Sequence, residues 1–355
     1  MMDDITNLIK IHQELGGLDS QVIHIAGSKG KGTTAMILAK ILEMSGKKVG
    51  VFSSPAIFRI EEMVQINGQP IDEETMKRRM ETVPALREDL SEFEAITLAS
   101  LLHFQKERCD YVILEAGWGG KNDATNVVGN KILTLLTHIE LEHTEVLGQS
   151  IAEIAQQKLG ICRPGAPLLT VASQVAEVFA EIEGMDLEPI LAPIVELGHH
   201  HPESVGLALT AADHLGINIT ERIQQGIATM QIPGRFEIIE LGHHTLILDG
   251  AHTLDSVTYI REKVLDFAQE EGLAEPFWCI HFLSDKNKEI WKLFPPNRTI
   301  WTTFTHPRAG EAPNTLPQAS VEEVFEQLKF EETPKLVVFV GSFRLVAEVK
   351  RNLSQ

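Results

Sequence analysis

The sequence predicts an α/β protein of two domains, a larger one on a mainly parallel sheet and a smaller, Rossmann-like one toward the C-terminus. Three observations carry that expectation. Short apolar runs alternate with helical patterns from Gln21 to Ile139, as βαβ units require. The first of these runs passes directly into a glycine-rich turn and then a helical stretch. A Pro233-Gly234 pair breaks helix propagation, and further apolar runs separated by helical segments follow it.

In the larger domain the expected strands are Val22–Ala26, Val49–Ser53, Tyr111–Glu115 and Ile132–Thr137. Between the first two, a helix over Thr34–Ser45 places Met36, Ile37, Ile41 and Leu42 on one face, and Gly46 followed by two lysines stops it. A second helix, Phe93–Arg108, is apolar nearly all round, which predicts burial against the sheet. After Pro164 the pattern weakens. Helices are expected at Gln174–Ile182, Leu207–Leu215 and Ile219–Met230, with no recognisable chemistry between Ala172 and Met230. His199, His200 and His201 lie between Gly198 and Pro202, which reads as a solvated loop rather than a metal tract. The domain boundary at Pro233-Gly234 gives domains 1–234 and 235–355, the second with strands at Thr245–Asp249, Phe277–Phe282, Thr299–Thr303 and Leu336–Val340.

Composition narrows the function classes. With 43% hydrophobic and 23% charged residues in 355, the chain can bury a sizeable core. A net charge of −19 argues against a nucleic-acid or anionic-membrane surface, which would need clustered Lys and Arg. No run reaches the roughly 18–20 apolar residues of a membrane span, and the chain opens on acidic residues rather than a basic, then apolar leader. A cytoplasmic location and small-molecule partners are therefore expected, and the chain is taken to act as a monomer. Cys109, Cys162 and Cys279 sit beside or within apolar runs without metal-type spacing and read as reduced thiols.

The strongest signal is Gly27-Ser28-Lys29-Gly30-Lys31-Gly32-Thr33-Thr34. Glycines let backbone N–H groups approach phosphate oxygens, the helix N-terminus adds a favourable dipole, and Lys31 supplies a cation to the β and γ phosphates of ATP. Thr33 is the natural hydroxyl for magnesium. A glycine-rich turn alone can be only a tight connection, but strand, loop, lysine, hydroxyl and helix in this order point to a triphosphate. The spacing departs from GxxxxGK[ST], because Gly32 separates Lys31 from Thr33. Glu115 ends an apolar strand, where P-loop enzymes place an acid that holds magnesium or its waters.

The loop GSKGKGTT resembles that of Mur ligases and folylpolyglutamate synthases, and further landmarks follow in the same order. They are Ser53-Ser54-Pro55 with Asn67-Gly68, Phe93-Glu94, LEAGWGGKNDATN from Leu114, IELEHTEVLG from Ile139 and Gln157-Lys158-Leu159-Gly160-Ile161. Pro233-Gly234-Arg235-Phe236-Glu237, LDGAH ending at His252, LSDKNKE from Leu283, His306-Pro307-Arg308-Ala309 and Gly341-Ser342 complete the series. From Ile23 to about Glu348 the chain thus resembles the folylpolyglutamate synthase and dihydrofolate synthase family of the Mur ligase superfamily.

That resemblance implies a Mur-ligase-type central P-loop domain and a C-terminal glutamate-binding domain. It implies an ATP-dependent acid–amino-acid ligase that adds L-glutamate to tetrahydrofolate or dihydropteroate through an acyl phosphate. By the same resemblance Gly27, Lys29, Gly30, Lys31, Gly32, Thr33 and Thr34, with Arg235 and Asp249, hold ATP, Asp249 alternatively meeting the incoming amine. Thr33, Ser54, Glu115 and His143 serve Mg2+, His252 and Ser342 hold glutamate, and Lys31, Lys158 and His252 are catalytic, with Lys158 carbamylated. Departures fall on the acceptor side: Ala56 for His, Met63 for Arg, Glu142 for Asp before His143, and Thr253-Leu254 for Asn-Pro. Two alternatives stay open, a ligase for a non-folate carboxylate and a nucleotide-binding protein that does not ligate.

Overall fold

The computed structural model describes residues 5–83, 90–286 and 289–353. The chain divides into two compact units, Met1–Met230 and Gln231–Gln355, so the break falls just ahead of Pro233-Gly234.

The first unit holds strands β1 (Gln21–Ala26), β2 (Val49–Phe52), β3 (Val64–Ile66), β4 (Gln69–Pro70), β5 (Tyr111–Glu115), β6 (Lys131–Leu136), β7 (Leu168–Val171) and β8 (Ile190–Ala192). They form one sheet in the order β4-β3-β2-β5-β1-β6-β7-β8, parallel except for the β2-β3-β4 meander. The helices are α1 (Thr6–Glu14), α2 (Lys31–Met44), α3 (Glu73–Thr82), α4 (Glu92–Glu107), α5 (Thr144–Leu147), α6 (Ile151–Leu159), α7 (Ala176–Gly184), α8 (Pro202–His214) and α9 (Glu221–Thr229).

Local chemistry explains where these helices start and stop. Ser91 and Ser150 each open a helix with a reciprocal capping box, to Glu94 and Glu153. The expected stop after α2 is built by Gly46, whose φ of 83° turns the chain while its N–H and that of Lys47 cap Glu43 and Leu42. The start differs from expectation: α2 begins at Lys31 rather than Thr34, because Gly30 at φ 84° turns the chain into the helix at once. Met36 is only half-buried; Ile37, Leu38, Ile41 and Leu42 form the buried face. The helix after Ser91 is buried over Ala95–Phe104, as its all-round apolarity predicts. The three later helices lie near their expected positions but begin or end a few residues away, α8 starting at Pro202 with the ring in its first turn.

The second unit carries β9 (Glu237–Leu241), β10 (His244–Asp249), β11 (Phe277–Ile280), β12 (Thr299–Thr303), β13 (Gln318–Ser320) and β14 (Leu336–Val340), with helices α10 (Leu254–Glu270), α11 (Val321–Phe330) and α12 (Phe343–Leu353). Its sheet runs β13-β12-β11-β14-β10-β9, parallel except for β9, so two short edge strands join the four expected ones. Apolar side chains of β10, β11 and β14 pack with α10 around Trp278. The three cysteines are free thiols, Cys109 and Cys279 buried and Cys162 half-buried.

Backbone and ring meet closely where α4 lies on β2: a Cβ added to Gly50 would stand 2.6 Å from the buried ring of Phe104. Gly50→Ala is expected to cost about 1–3 kcal/mol by overpacking. Urea unfolding should show that loss and its partial recovery in the double variant with Phe104→Leu.

Candidate active site

Strand register places the glycine loop. In the parallel pairing of β1 with β5 and β6, Ile25 lies level with Glu115 and Ala26 level with Leu136, so Gly27 leaves the sheet beside Thr137. A Cβ on Gly27 would stand 1.9 Å from Thr137 Oγ1, and φ there is 148°, so only glycine serves. The N–H groups of Ser28 and Lys29 both donate to the carbonyl of His138, which ties the loop to the segment after β6. No side chain caps the N-terminus of α2. Its first-turn N–H groups, around Gly32, Thr33 and Thr34, form the kind of end that receives phosphate. Lys29 leans aside to pair with Glu140 at 3.2 Å.

Two ammonium groups converge on one carbonyl. Lys31 Nζ donates to Gly27 O at 2.9 Å, and Lys158 Nζ, from the last turn of α6, donates to the same oxygen at 2.8 Å. Lys158 is 1% exposed, and its other partner is Glu142 at 2.6 Å. Burial first, and the charge of Lys31 second, pull the Lys158 amine down to about 8 despite Glu142. Burial pushes Glu142 upward, but Lys158 and Lys31 outweigh it and hold that carboxyl below its ordinary range. Lys158, in the last turn of α6, is thus a buried group aimed at the phosphate loop.

Glu115 lies on the opposite side of the loop. Its carboxylate is 3% exposed, accepts from Ser53 Oγ at 2.6 Å and from the N–H of Ser54 at 3.3 Å, and has no ion-pair partner among the described residues. A Cβ on Gly32 would come within 3.2 Å of it, so the carboxylate abuts the first turn of α2. A buried anion without a cation is costly unless the site receives one. A carboxylate oxygen with nearby hydroxyls is a hard donor set that suits Mg2+. The hydroxyl on the carboxylate is that of Ser53, whereas Ser54 contributes its backbone. His143, in a left-handed turn at φ 46°, stands edge-on to Trp118 with ring centroids 6.0 Å apart. Its ring is about half exposed, and nothing places it on Glu115.

The loop after β5 grips the end of α6. Lys121 N–H donates to Gln157 O at 2.8 Å, and Asn126 donates through Nδ2 to Lys121 O and Gly160 O. Asn126 Oδ1 accepts from Lys131 and Arg163, and Lys131 also donates to Ile161 O at 2.8 Å. Burial, followed by Arg163, pulls the Lys131 amine down to about 6. As a neutral amine it spends both of its N–H bonds on those two oxygens.

Sequence reasoning missed a further pair. Ser204, in the first turn of α8, directs Oγ at Gly30 O at 3.4 Å, and Glu203 stands 3.7 Å from His138 Nδ1. The segment that showed no recognisable chemistry therefore borders the glycine loop. The histidine tract also differs from a fully solvated loop: His200 is buried, its Nε2 bonded to Ile227 O at 2.8 Å.

In the second unit three landmark segments meet at the Phe343 ring. The Arg235 guanidinium lies over it at 4.4 Å, and a Cβ on Gly234 or Gly250 would touch it at 3.0 or 2.7 Å. Asp249, at the end of β10, spends both oxygens on backbone, Phe236 N–H and Ala251 N–H at 2.7 Å each, and burial raises its carboxyl. His252 Nδ1 bonds Gly250 O at 2.8 Å, and Ser342 Oγ accepts from Leu345 N–H at the start of α12. Asp249 and Ser342 thus shape the turns on which they sit. Asn287 and Lys288 of LSDKNKE lie outside the described residues.

Comparison with known proteins adds to this geometry. Residues 25–239 match the family described as the Mur ligase middle domain. The chain is 32% identical over 371 residues to the dihydrofolate synthase/folylpolyglutamate synthase of Escherichia coli (strain K12), covering 92% of this chain and 85% of that protein. Its identity to the dihydrofolate synthase/folylpolyglutamate synthase of Bacillus subtilis (strain 168) is 27% over 397 residues, 94% of this chain and 90% of the other. The crystal structure of the bifunctional folylpolyglutamate synthase/dihydrofolate synthase from Yersinia pestis, complexed with AMPPNP and Mn ion, superposes with a TM-score of 0.87 at 26% identity. That match covers 99% of this chain and 93% of the other.

The buried amine of Lys131 makes a pH prediction. Its pKa of about 6 in the fold lies below the ordinary lysine value of 10.5, so between these limits the unfolded chain holds a proton that the folded chain lacks. Stability contributed by this site therefore rises with pH, by up to about 1.4 kcal/mol per unit. Unfolding of wild type and Lys131→Met from pH 6.5 to 8.5 should show wild type gaining on the variant by about 1–3 kcal/mol. A constant difference would mean that Lys131 stays charged.

Proposed function

Because the chain belongs to the folylpolyglutamate synthase/dihydrofolate synthase family of the Mur ligase superfamily, we propose that it joins L-glutamate to the carboxylate of tetrahydrofolate or dihydropteroate at the expense of ATP. The observation that carries this reading is the convergence of Lys31 and Lys158 on the Gly27 carbonyl, with the buried carboxylate of Glu115 against Gly32 in the first turn of α2.

The chemistry follows from that layout. The first turn of α2, from Gly30 to Thr34, receives the β and γ phosphates, and Lys31 leaves the Gly27 carbonyl to meet them. Glu115, with the hydroxyls of Thr33 and Ser53 or Ser54, and with His143 once that ring turns inward, would hold Mg2+, which would supply positive charge to the transferred phosphoryl group. The acceptor carboxylate takes the γ-phosphoryl and ADP leaves; the glutamate amine then attacks the acyl carbon, phosphate departs and the amine loses a proton. In the second unit we assign Arg235 and Asp249 to the nucleotide, and His252 and Ser342 to glutamate. Lys158 forms a carbamate in the working enzyme. Its buried amine is partly neutral near pH 8; the amine lone pair bonds the carbon of CO2, one C–O π pair moves onto oxygen, one N–H proton passes to solvent, and Glu142 must then turn away from the new anion.

A second reading keeps the reaction and changes the acceptor. Met63, where the family pattern has Arg, is buried in the apolar cluster that includes Phe52 and Met76, and Ala56 packs against the same cluster. A positive charge is thereby lost from the acceptor side.

Purified protein with ATP, Mg2+, L-glutamate and a panel of folates should release phosphate only when all components are present, and mass spectrometry should find the glutamylated folate. Lys31→Ala should lower turnover by at least about 10²-fold. Absence of folate-dependent phosphate release would refute the folate reading, and a glutamyl adduct of another carboxylate from a metabolite extract would establish the second.

A further inference from the structure

We propose that Asn126 is a positioning residue: its carboxamide, with Lys131 and Arg163, clamps the carbonyl end of α6 to the loop that follows Glu115 and so holds Lys158 at the Gly27 carbonyl. Asn126 is 3% exposed, and its side chain uses both N–H bonds and accepts two more, its full hydrogen-bonding capacity.

What it joins is specific. α6 ends at Leu159, one residue after Lys158, and a helix end leaves carbonyls that need partners. The N–H groups of Gly160, Ile161 and Cys162 cap Gln156 O, Lys158 O and Leu159 O, and the carbonyls left over are met by side chains and by the loop after β5. Gln157 O receives Lys121 N–H, Gly160 O receives Asn126 Nδ2 and Arg163 Nη1, Ile161 O receives Lys131 Nζ, and Cys162 O receives Arg163 Nη1. The two segments touch without slack: a Cβ on Gly120 would stand 2.8 Å from Lys158 O, and one on Gly160 would stand 2.5 Å from Lys121 Cβ. The clamp thus binds the last turn of α6 to the turn that leaves β5 after Glu115. Lys158 and Glu115 are on opposite sides of the phosphate loop, and this is a direct structural tie between their elements.

Asn126→Asp separates the clamp from its bulk. The variant keeps the shape and both acceptors for Lys131 and Arg163 but removes the two donors, setting a carboxylate oxygen against Lys121 O and Gly160 O. The α6 end should loosen and Lys158 should leave its carbonyl more often. Lys131→Met removes the donor to Ile161 O from the other side and serves if Asn126→Asp does not fold. Leu101→Ala, a fully buried position in α4, is the control for destabilisation alone.

The test uses unliganded full-length protein, acylated with N-hydroxysuccinimidyl acetate, with Lys158 followed by peptide mass spectrometry. Acylation of Lys158 should be roughly tenfold faster or more in Asn126→Asp or Lys131→Met than in Leu101→Ala at equal loss of stability. Equal rates at equal stability overturn the proposal. The catalytic consequence rests on the ligase reading: kcat should fall by about tenfold or more while KM for ATP changes little. A matching rise in KM with kcat intact overturns the link to Lys158. Absence of turnover in wild type would sink the ligase reading alone, since the acylation rates are measured without nucleotide.

Discussion

The first unit is organised around a buried carboxylate, Glu115, that no Lys or Arg among the described residues balances. Lys31 and Lys158 share one carbonyl, Lys158 also pairing with Glu142, and Glu115 is buried near the first turn of α2 with Ser53 and the Ser54 N–H as its partners among the described residues. Pairing these charges directly would stabilise the fold, because a buried carboxylate without a cation costs several kcal/mol. The loop instead separates them, and a triphosphate with its metal would satisfy both at once. Stability is given up where ligand binding can restore it, a common feature of functional sites. The apolar sheet must support that cost, and its central strands β1, β2 and β5 are buried along nearly their whole length.

Register turns that sheet into a site. β1 lies between β5 and β6; the chain goes from β1 to β2 on one side and from β6 to β7 on the other, so the connections leaving these two neighbours part at the carboxyl edge. Ligands in open α/β sheets bind at such a divergence. The same register sets Thr137 against Gly27, which excludes any side chain there, and brings Glu115 level with Ile25, the next-to-last residue of β1. A one-residue slip would move the acid to the other face of the sheet.

What the sequence revealed follows from how each signal is encoded. The central strands were legible because strands buried on both faces are continuous apolar runs, and the glycine loop because its order of residue types is rare outside phosphate cradles. Short edge elements such as Gln69–Pro70 and Gln318–Ser320 carry too few apolar residues to stand out, and in the antiparallel Glu237–Leu241 two glutamates interrupt the apolar run. Lys158 shows the limit most clearly. Helix position was readable, but the path of its side chain depends on α6 packing beside the loop, which no local pattern records. Ser204, Glu203 and His200 were missed for the same reason, since each is a polar residue made significant by an element distant in sequence.

The Glu142 substitution joins these strands of argument. Where the family pattern has Asp, Glu142 reaches the buried amine of Lys158 at 2.6 Å, a contact that a side chain one methylene shorter would make less closely. That contact favours the charged amine, while burial and Lys31 favour the neutral one, and the balance lies near 8 rather than lower. Asn126 and its partners Lys131 and Arg163 hold the end of the helix that carries this amine. The protonation of Lys158 is therefore set by its depth and by the Lys31 that shares its carbonyl, opposed by Glu142 and, less strongly, by Asp123. Of these, only Glu142 departs from the family pattern, so this is the point at which the chain can tune its lysine without altering the phosphate loop.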